Sequence, residues 1–140
     1  MYDVIPRVIP NVIDTSRFHS RERARLQPRL LSVRNLENYY RVDNTIRAFA
    51  ELPGDVELWV VGRPMGVNVA DLELLATAAR GRVRFVPRYI ADAELASIVR
   101  RADVVALPYR DVDQSGVLYT ALAFGKPIVA SAVGGFPEVL

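Results

Sequence analysis

The stretch that decides the fold runs from Ala106 to Glu138 and reads ALPYRDVDQSGVLYTALAFGKPIVASAVGGFPE. It predicts a buried strand, a polar loop over residues 111–116, a helix, and a second buried strand that ends before Gly134 and Gly135. This is a βαβ unit, whose loops open at the carboxyl ends of parallel strands, the edge at which open α/β sheets bind ligands. Because the first amides of a helix are free and its dipole is positive there, the start of this helix is a natural anion site.

The rest of the chain repeats the alternation of strand and helix. Apolar runs predict strands at 30–33, 56–61, 83–86, 104–107 and 128–130, and helical spacing predicts helices at 42–52, 71–79, 93–101 and 115–124, with a further helix beginning at Pro137. Asp43 is expected to cap the first helix, and Ser115 fits the N-cap of the fourth. Continuously apolar strands are buried on both faces, and helices between them imply right-handed parallel crossovers. The sequence therefore predicts an α/β fold, with a doubly wound, mostly parallel Rossmann-like sheet of about five strands.

Composition excludes several classes of protein. The 140 residues fit one domain, and a hydrophobic share of 51% with 24% charged residues is typical of a chain with a packed core. No apolar run approaches the roughly 18 residues of a membrane span, and the N-terminus lacks the pattern of a signal peptide. With no cysteine there is no disulfide framework, and a net charge of +2 gives no strong nucleic-acid signal. We therefore expect a cytoplasmic protein without an integral membrane segment or a nucleic-acid partner.

Six segments resemble, in the same order, motifs of the family 4 (group 1) glycosyltransferases of the GT-B fold. They are VIPNVIDTSRF (8–18), SVRNL (32–36) followed by Val42 and Asp43, WVVG (59–62), VRFVPR (83–88), ADVVALP (102–108) and GKPIVASAVGGFPE (125–138). The resemblance implies that residues 30–140 are the nucleotide-sugar-binding, Rossmann-like C-terminal domain of such an enzyme, with residues 1–29 as an extended segment and connector. It also implies that this domain is C-terminally incomplete and that an N-terminal acceptor domain, or a partner chain, is missing.

The same resemblance implies a donor site for a nucleotide diphospho-sugar, usually with retention at the anomeric carbon and without an essential metal or another cofactor. Arg34 or Asn35 falls where the family's phosphate-binding arginine sits, and Arg41 is expected to replace a lysine whose position Tyr40 occupies. The other residues that it places around the donor are Gly62, Arg88 and Tyr89, then Gln114, Ser115, Gly116 and Val117, and finally Thr120 and Glu138.

The chain departs from the family at two acidic positions. The family carries two glutamates separated by seven residues, and this chain has Val112 and Thr120 there. Asp111 and Asp113 flank the first position, and we expect them to supply the missing catalytic carboxylate. A magnesium site on these two aspartates is not expected, because it would need further oxygen ligands.

These observations lead to two functional hypotheses. The first is the donor-binding half of a retaining glycosyltransferase of the hexosyltransferase type, inactive as this chain alone because half of the cleft is missing. The second is a non-catalytic binding or interaction domain on the same scaffold, which the loss of both glutamates would fit. An unrelated flavodoxin-like or receiver-like domain is opposed by Arg34 and Asn35 after the first strand. Apolar surface left uncovered on an incomplete domain also predicts self-association.

Overall fold

The computed structural model of the chain describes residues 29–33, 35–37, 40–52, 56–80 and 82–140. Strands and helices alternate along these ranges, and the predicted ones are confirmed to within one or two residues at their ends. In chain order they are β1 (Arg29–Val33), α1 (Val42–Ala50), β2 (Glu57–Val61), α2 (Val69–Ala76) with a 3₁₀ turn (Thr77–Ala79), β3 (Val83–Val86), α3 (Asp92–Arg101), β4 (Val104–Leu107), α4 (Gly116–Ala123), β5 (Ile128–Ala130) and α5 (Phe136–Val139). The predicted segment over residues 1–29 lies almost wholly outside the described residues.

The five strands form one parallel sheet in the order β3-β2-β1-β4-β5. One face, here called the α1 face, is covered by α1 and α2, whose Ile46, Phe49 and Leu72 join Leu58 and Val60 of β2 in one apolar cluster. The other, the α4 face, is covered by α3, α4 and α5, and its cluster contains Leu31, Val99, Val105, Leu107, Leu118 and Phe136. The predicted α/β class and parallel sheet are therefore confirmed.

The edge strands are less buried than the sequence predicts. Val129 of β5 lies on the α1 face and is 64% exposed, and Arg84 of β3 is also exposed. Beside Val129 lies an apolar groove of about 620 Å³, lined among others by Leu30, Phe49, Val104 and Ala106. Among the described residues this groove is open, whereas the incompleteness of the domain and its self-association stay predictions.

The helix α1 begins at Val42 as predicted, but its cap differs from the prediction. Its N-cap is Arg41, which has a left-handed backbone with φ of 52°, and among the described residues no side chain makes a capping hydrogen bond there. Asp43 lies inside the first turn, where a carboxylate favours the helix dipole, and its Oδ1 is 3.7 Å from Nε of Arg41. The expected capping role of Asp43 is therefore wrong, because the residue sits two positions beyond the cap.

Lys126, the only lysine of the chain, closes the end of α3. Its Nζ donates hydrogen bonds to the carbonyl oxygens of Arg100 at 2.7 Å and Ala102 at 2.9 Å. The last carbonyls of a helix have no intrahelical donor, and a cation there also favours the helix dipole. Lys126 thus ties the loop before β5 to the loop before β4.

A charged cluster lies at the amino ends of β1, β2 and β3, which are neighbours in the sheet. Glu57 accepts hydrogen bonds from the indole nitrogen of Trp59 at 3.1 Å, from Nε of Arg84 at 3.1 Å and from Nε of Arg29 at 3.2 Å. Burial alone would raise the pKa of Glu57, but these three donors together hold it below its ordinary value. Glu57 is therefore a structural carboxylate, at the sheet edge opposite to the predicted ligand edge.

Candidate functional site

The candidate site lies at the carboxyl ends of β1 and β4. The order of the strands reverses between these two neighbours, and in open α/β sheets this switch point is where ligands bind. The loops that follow the two strands meet directly, because the ring of Tyr40 packs on the ring of Tyr109 with centroids 4.8 Å apart. The βαβ unit predicted from the sequence thus delivers the start of α4 to the switch point.

The start of α4 offers free amides. Ser115 is the N-cap, with a fully buried side chain whose Oγ accepts the amide of Leu118 at 3.3 Å. The amides of Gly116 and Val117 find no acceptor among the described residues, as expected for the first turn of a helix. Ser115 can therefore be the N-cap of α4 and part of an anion site at the same time. Its hydroxyl accepts one amide and leaves the amides of Gly116 and Val117 for an anion.

The loop before α4 is held by the loop after β5. The amide of Gly135 donates to the carbonyl of Val112 at 3.3 Å, and the backbones of Gly134 and Gly135 lie against the carbonyls of Val112 and Asp113. Gly134 has a φ of +51°, a backbone conformation that residues other than glycine rarely adopt. The two glycines therefore set the position of residues 112 and 113 at the site.

Three aromatic rings, here called the aromatic column, connect these loops. Tyr109 lies in the middle, only 4% exposed, between Tyr40 and the ring of Phe136 at 5.5 Å. Its hydroxyl is 3.5 Å from Oγ of Ser115. Tilted aromatic pairs of this kind each contribute about 0.5–1.5 kcal/mol beyond the burial of their area. Sequence reasoning missed Tyr109 and Phe136, although an aromatic residue directly after a buried strand at the ligand edge was a usable signal.

The predicted donor-binding residues fall on several loops of this edge. Arg34 lies outside the described residues, while Asn35 follows β1 and is exposed. Arg41 begins α1, and its side chain is partly exposed beside Asp43. Gly62 directly follows β2. Its φ of 148° favours glycine, and its amide donates to the carbonyl of Val86.

The remaining predicted residues are closer to α4 or further along the edge. Gln114 and Gly116 are exposed, Val117 is partly buried, and Glu138 is exposed in the short helix α5. Arg88 and Tyr89 follow β3, which lies three strands from β4, or about 14 Å at the usual strand spacing. The structure thus brings the residues after β1 and β4 together, and only an extended ligand could also reach those after β3.

Arg88 is already paired. Its two terminal nitrogens donate to both carboxylate oxygens of Glu94, one of them at 2.8 Å, and Nη1 also donates to the carbonyl of Tyr89. The hydrogen bonds from Arg88 lower the pKa of Glu94, and the same contact raises the pKa of Arg88. The side chain of Tyr89, which is 72% exposed, is the more accessible of the two predicted residues.

The two positions that lack the family's glutamates are both buried. Val112 is 5% exposed, and Thr120 donates its hydroxyl to the carbonyl of Gly116 at 2.8 Å. Asp111 and Asp113 are exposed, and Oδ1 of Asp111 accepts the amide of Val112 at 2.9 Å. Both aspartates are therefore accessible to solvent at this edge, and their catalytic role stays a prediction.

Two features are absent from the residues that the structure describes. Among these residues no group of three or more histidine, cysteine, aspartate and glutamate side chains is placed to hold a metal ion. Nor does any helix there have the length and apolar character needed to cross a bilayer.

Comparison with known proteins identifies relatives of the chain. The profile of the family described as "Glycosyl transferases group 1" matches residues 27–140. The D-inositol 3-phosphate glycosyltransferase of Mycobacterium bovis is 39% identical over 100 residues, which are 68% of this chain and 20% of that enzyme. The chain therefore spans about one fifth of the length of this curated relative.

Solved structures share the fold. WaaG, a glycosyltransferase involved in lipopolysaccharide biosynthesis, superposes with a TM-score of 0.69 at 28% identity, over 80% of this chain and 30% of WaaG. HepE of Anabaena, solved in complex with UDP-glucose, superposes with a TM-score of 0.74 at 24% identity, over 81% of this chain and 32% of HepE. The family match extends over most of the sequence and includes every strand of the sheet. The chain belongs to the group 1 glycosyl transferases.

Proposed function

We propose that the chain forms the donor-binding half of a retaining glycosyltransferase, which transfers a sugar from a nucleotide diphospho-sugar to an acceptor. The observation that carries the proposal is the contact between the loops after β1 and β4, with the two free amides of α4 at the switch point. Family membership supplies the reaction class, and this geometry supplies a place for the diphosphate.

The chemistry of this site is electrostatic. When the glycosidic bond to the donor breaks, negative charge develops on the departing nucleoside diphosphate. The amides of Gly116 and Val117 and the guanidinium groups of Arg34 and Arg41 would stabilise that charge, because fixed donors at the leaving group favour the transition state. Asp111 and Asp113 are the carboxylates nearest to the start of α4 in sequence, and we assign them to the transferred sugar.

The proposal extends only to the donor. The matched region is one fifth of the mycobacterial relative, so the acceptor in that enzyme's name is not carried over. Acceptor binding and turnover belong to an additional domain or partner chain, and we expect the 140-residue chain alone to bind a donor without transferring its sugar.

Calorimetric titration tests the proposal. UDP, GDP, ADP and UDP-glucose are titrated in turn, starting with UDP because a protein of the same fold is solved with UDP-glucose. At least one is expected to bind, and Arg34→Ala should weaken that binding by about tenfold or more, since charge-assisted bonds to phosphate are strong. Arg101→Ala, at an exposed position at the end of α3, is the matched control and should leave binding unchanged. If none of the ligands binds at millimolar concentration, the non-catalytic alternative is favoured.

A further inference from the structure

Tyr109 contacts three residues of the candidate site that lie far apart or in different elements, namely Tyr40, Ser115 and Phe136. Its ring packs on Tyr40 from the loop after β1, with an angle of 58° between the rings, and on Phe136 from the start of α5, with an angle of 42°. Its hydroxyl lies beside Oγ of Ser115, the atom that caps α4. Tyr109 therefore contacts the loop after β1, the start of α5 and the cap of α4, the helix whose first amides face the switch point.

The ring of Tyr109 makes the two aromatic contacts of the column, and its hydroxyl makes the contact with Ser115. At 3.5 Å, the distance between the hydroxyl and Oγ of Ser115 exceeds the usual range for a strong O–H···O hydrogen bond. The ring, in contrast, is buried between two aromatic neighbours at ordinary stacking distances. Removing the ring would leave a gap in the middle of the column, and the loops on either side could then shift relative to each other.

We propose that Tyr109 is a positioning residue, whose ring holds the free amides of Gly116 and Val117 at a fixed distance from the loop after β1. The inference rests on the proposed donor site, since it says what keeps the two walls of that site in place. The phosphates of a nucleoside diphosphate would be gripped from both walls at once. Small displacements between groups that share one ligand are costly, so affinity should depend on the ring even though it touches no phosphate.

Three variants test this role. Tyr109→Leu removes the ring, Tyr109→Phe keeps the ring and removes the hydroxyl, and Tyr119→Leu removes a partly buried tyrosine of α4 outside the column as a matched control. Titration with UDP is expected to show about tenfold weaker binding for Tyr109→Leu. Tyr109→Phe should restore affinity to within about twofold of the original chain, and Tyr119→Leu should bind as the original chain does. Urea denaturation of each variant shows that the titrated protein is folded.

A readout without ligand separates this inference from the donor proposal. Hydrogen exchange at the amide of Leu118, which donates to Oγ of Ser115, is expected to be about tenfold faster in Tyr109→Leu than in the original chain, and unchanged in Tyr109→Phe and Tyr119→Leu. If the original chain binds no nucleotide, the donor proposal fails and the exchange rates still decide the role of Tyr109. If Tyr109→Leu does not fold, Tyr40→Leu replaces it with the same expectations, because Tyr40 is only partly buried.

Two results would overturn the inference. One is a folded Tyr109→Leu chain with the exchange rates of the original chain. The other is a Tyr119→Leu chain that loses as much affinity, or as much protection from exchange, as Tyr109→Leu does, since the effect would then belong to any large side chain near α4.

Discussion

The backbone of Gly134 lies so close to Val112 that a β-carbon on residue 134 would be 1.5 Å from the carbonyl oxygen of Val112. This contact joins the loop after β5 to the loop that carries Asp111 and Asp113. The positions of these two loops are therefore coupled, and a change in either loop should move the carboxylates of Asp111 and Asp113.

Gly134→Ala should destabilise the fold by about 2–4 kcal/mol, because the new methyl group meets the Val112 carbonyl and the positive φ disfavours alanine. Urea denaturation measures the change. Gly116→Ala is the matched control, since a β-carbon there meets nothing within 4 Å, and it should leave the unfolding free energy within about 1 kcal/mol. Equal stability of the two variants would refute the close contact.

Ser115→Ala should lower the unfolding free energy by about 1 kcal/mol, because the amide of Leu118 loses its capping acceptor. The comparison is Ser97→Ala, where an exposed hydroxyl donates only to the carbonyl of Ala93 in the preceding turn of α3. That substitution should change stability by less than about 0.5 kcal/mol. Thermal or urea unfolding distinguishes the two, and a harmless Ser115→Ala would mean that Ser115 does not cap α4.

Lys126→Met should cost about 1–3 kcal/mol, because the carbonyls of Arg100 and Ala102 lose a charged donor while the aliphatic stem is kept. Arg101→Met, on the exposed side of the same helix end, serves as the control and should cost less than about 0.5 kcal/mol. The measurement is again the unfolding free energy in urea. Similar losses in both variants would point to a general charge effect rather than to the two hydrogen bonds.

Acid should weaken the fold through Glu57. Its pKa is lowered in the folded chain, so its contribution to stability is present above the ordinary value of 4.5 and is lost as the pH falls through the lower, folded value. Urea denaturation at a series of pH values should show a shallower loss for Glu57→Gln than for the original chain below pH 4.5. The control is Glu73→Gln, at an exposed position of α2, which should follow the original curve. A Glu57→Gln curve parallel to the original would contradict this assignment.

Local sequence patterns predicted most of the architecture. The central strand β4 begins and ends where the apolar run 104–107 does, because a strand buried in a parallel sheet is apolar along its length. The cap of α1 could not be predicted in the same way, although its first residue, Val42, was. Its cap depends on the left-handed backbone of Arg41, which side-chain preferences do not reveal.

The sequence predicted which loops form the candidate site, but not which residues of those loops contact each other. The start of α4 followed from Ser115 and Gly116, since capping is a local property. The aromatic column did not follow, because Tyr40, Tyr109 and Phe136 are far apart in the sequence and meet only through the strand order. The adjacent glycines at 134 and 135 indicated the end of a strand, but their close approach to Val112 was known only from the structure.

The position of Lys126 has a practical consequence for chemical labelling. Reagents that acylate amines would find a single lysine, and its nitrogen is held by two carbonyl oxygens in the folded chain. These contacts occupy hydrogen atoms of the amine and fix its position, so modification of this side chain requires that the end of α3 opens first. The rate of acylation at Lys126 therefore reports local opening of the loop before β5.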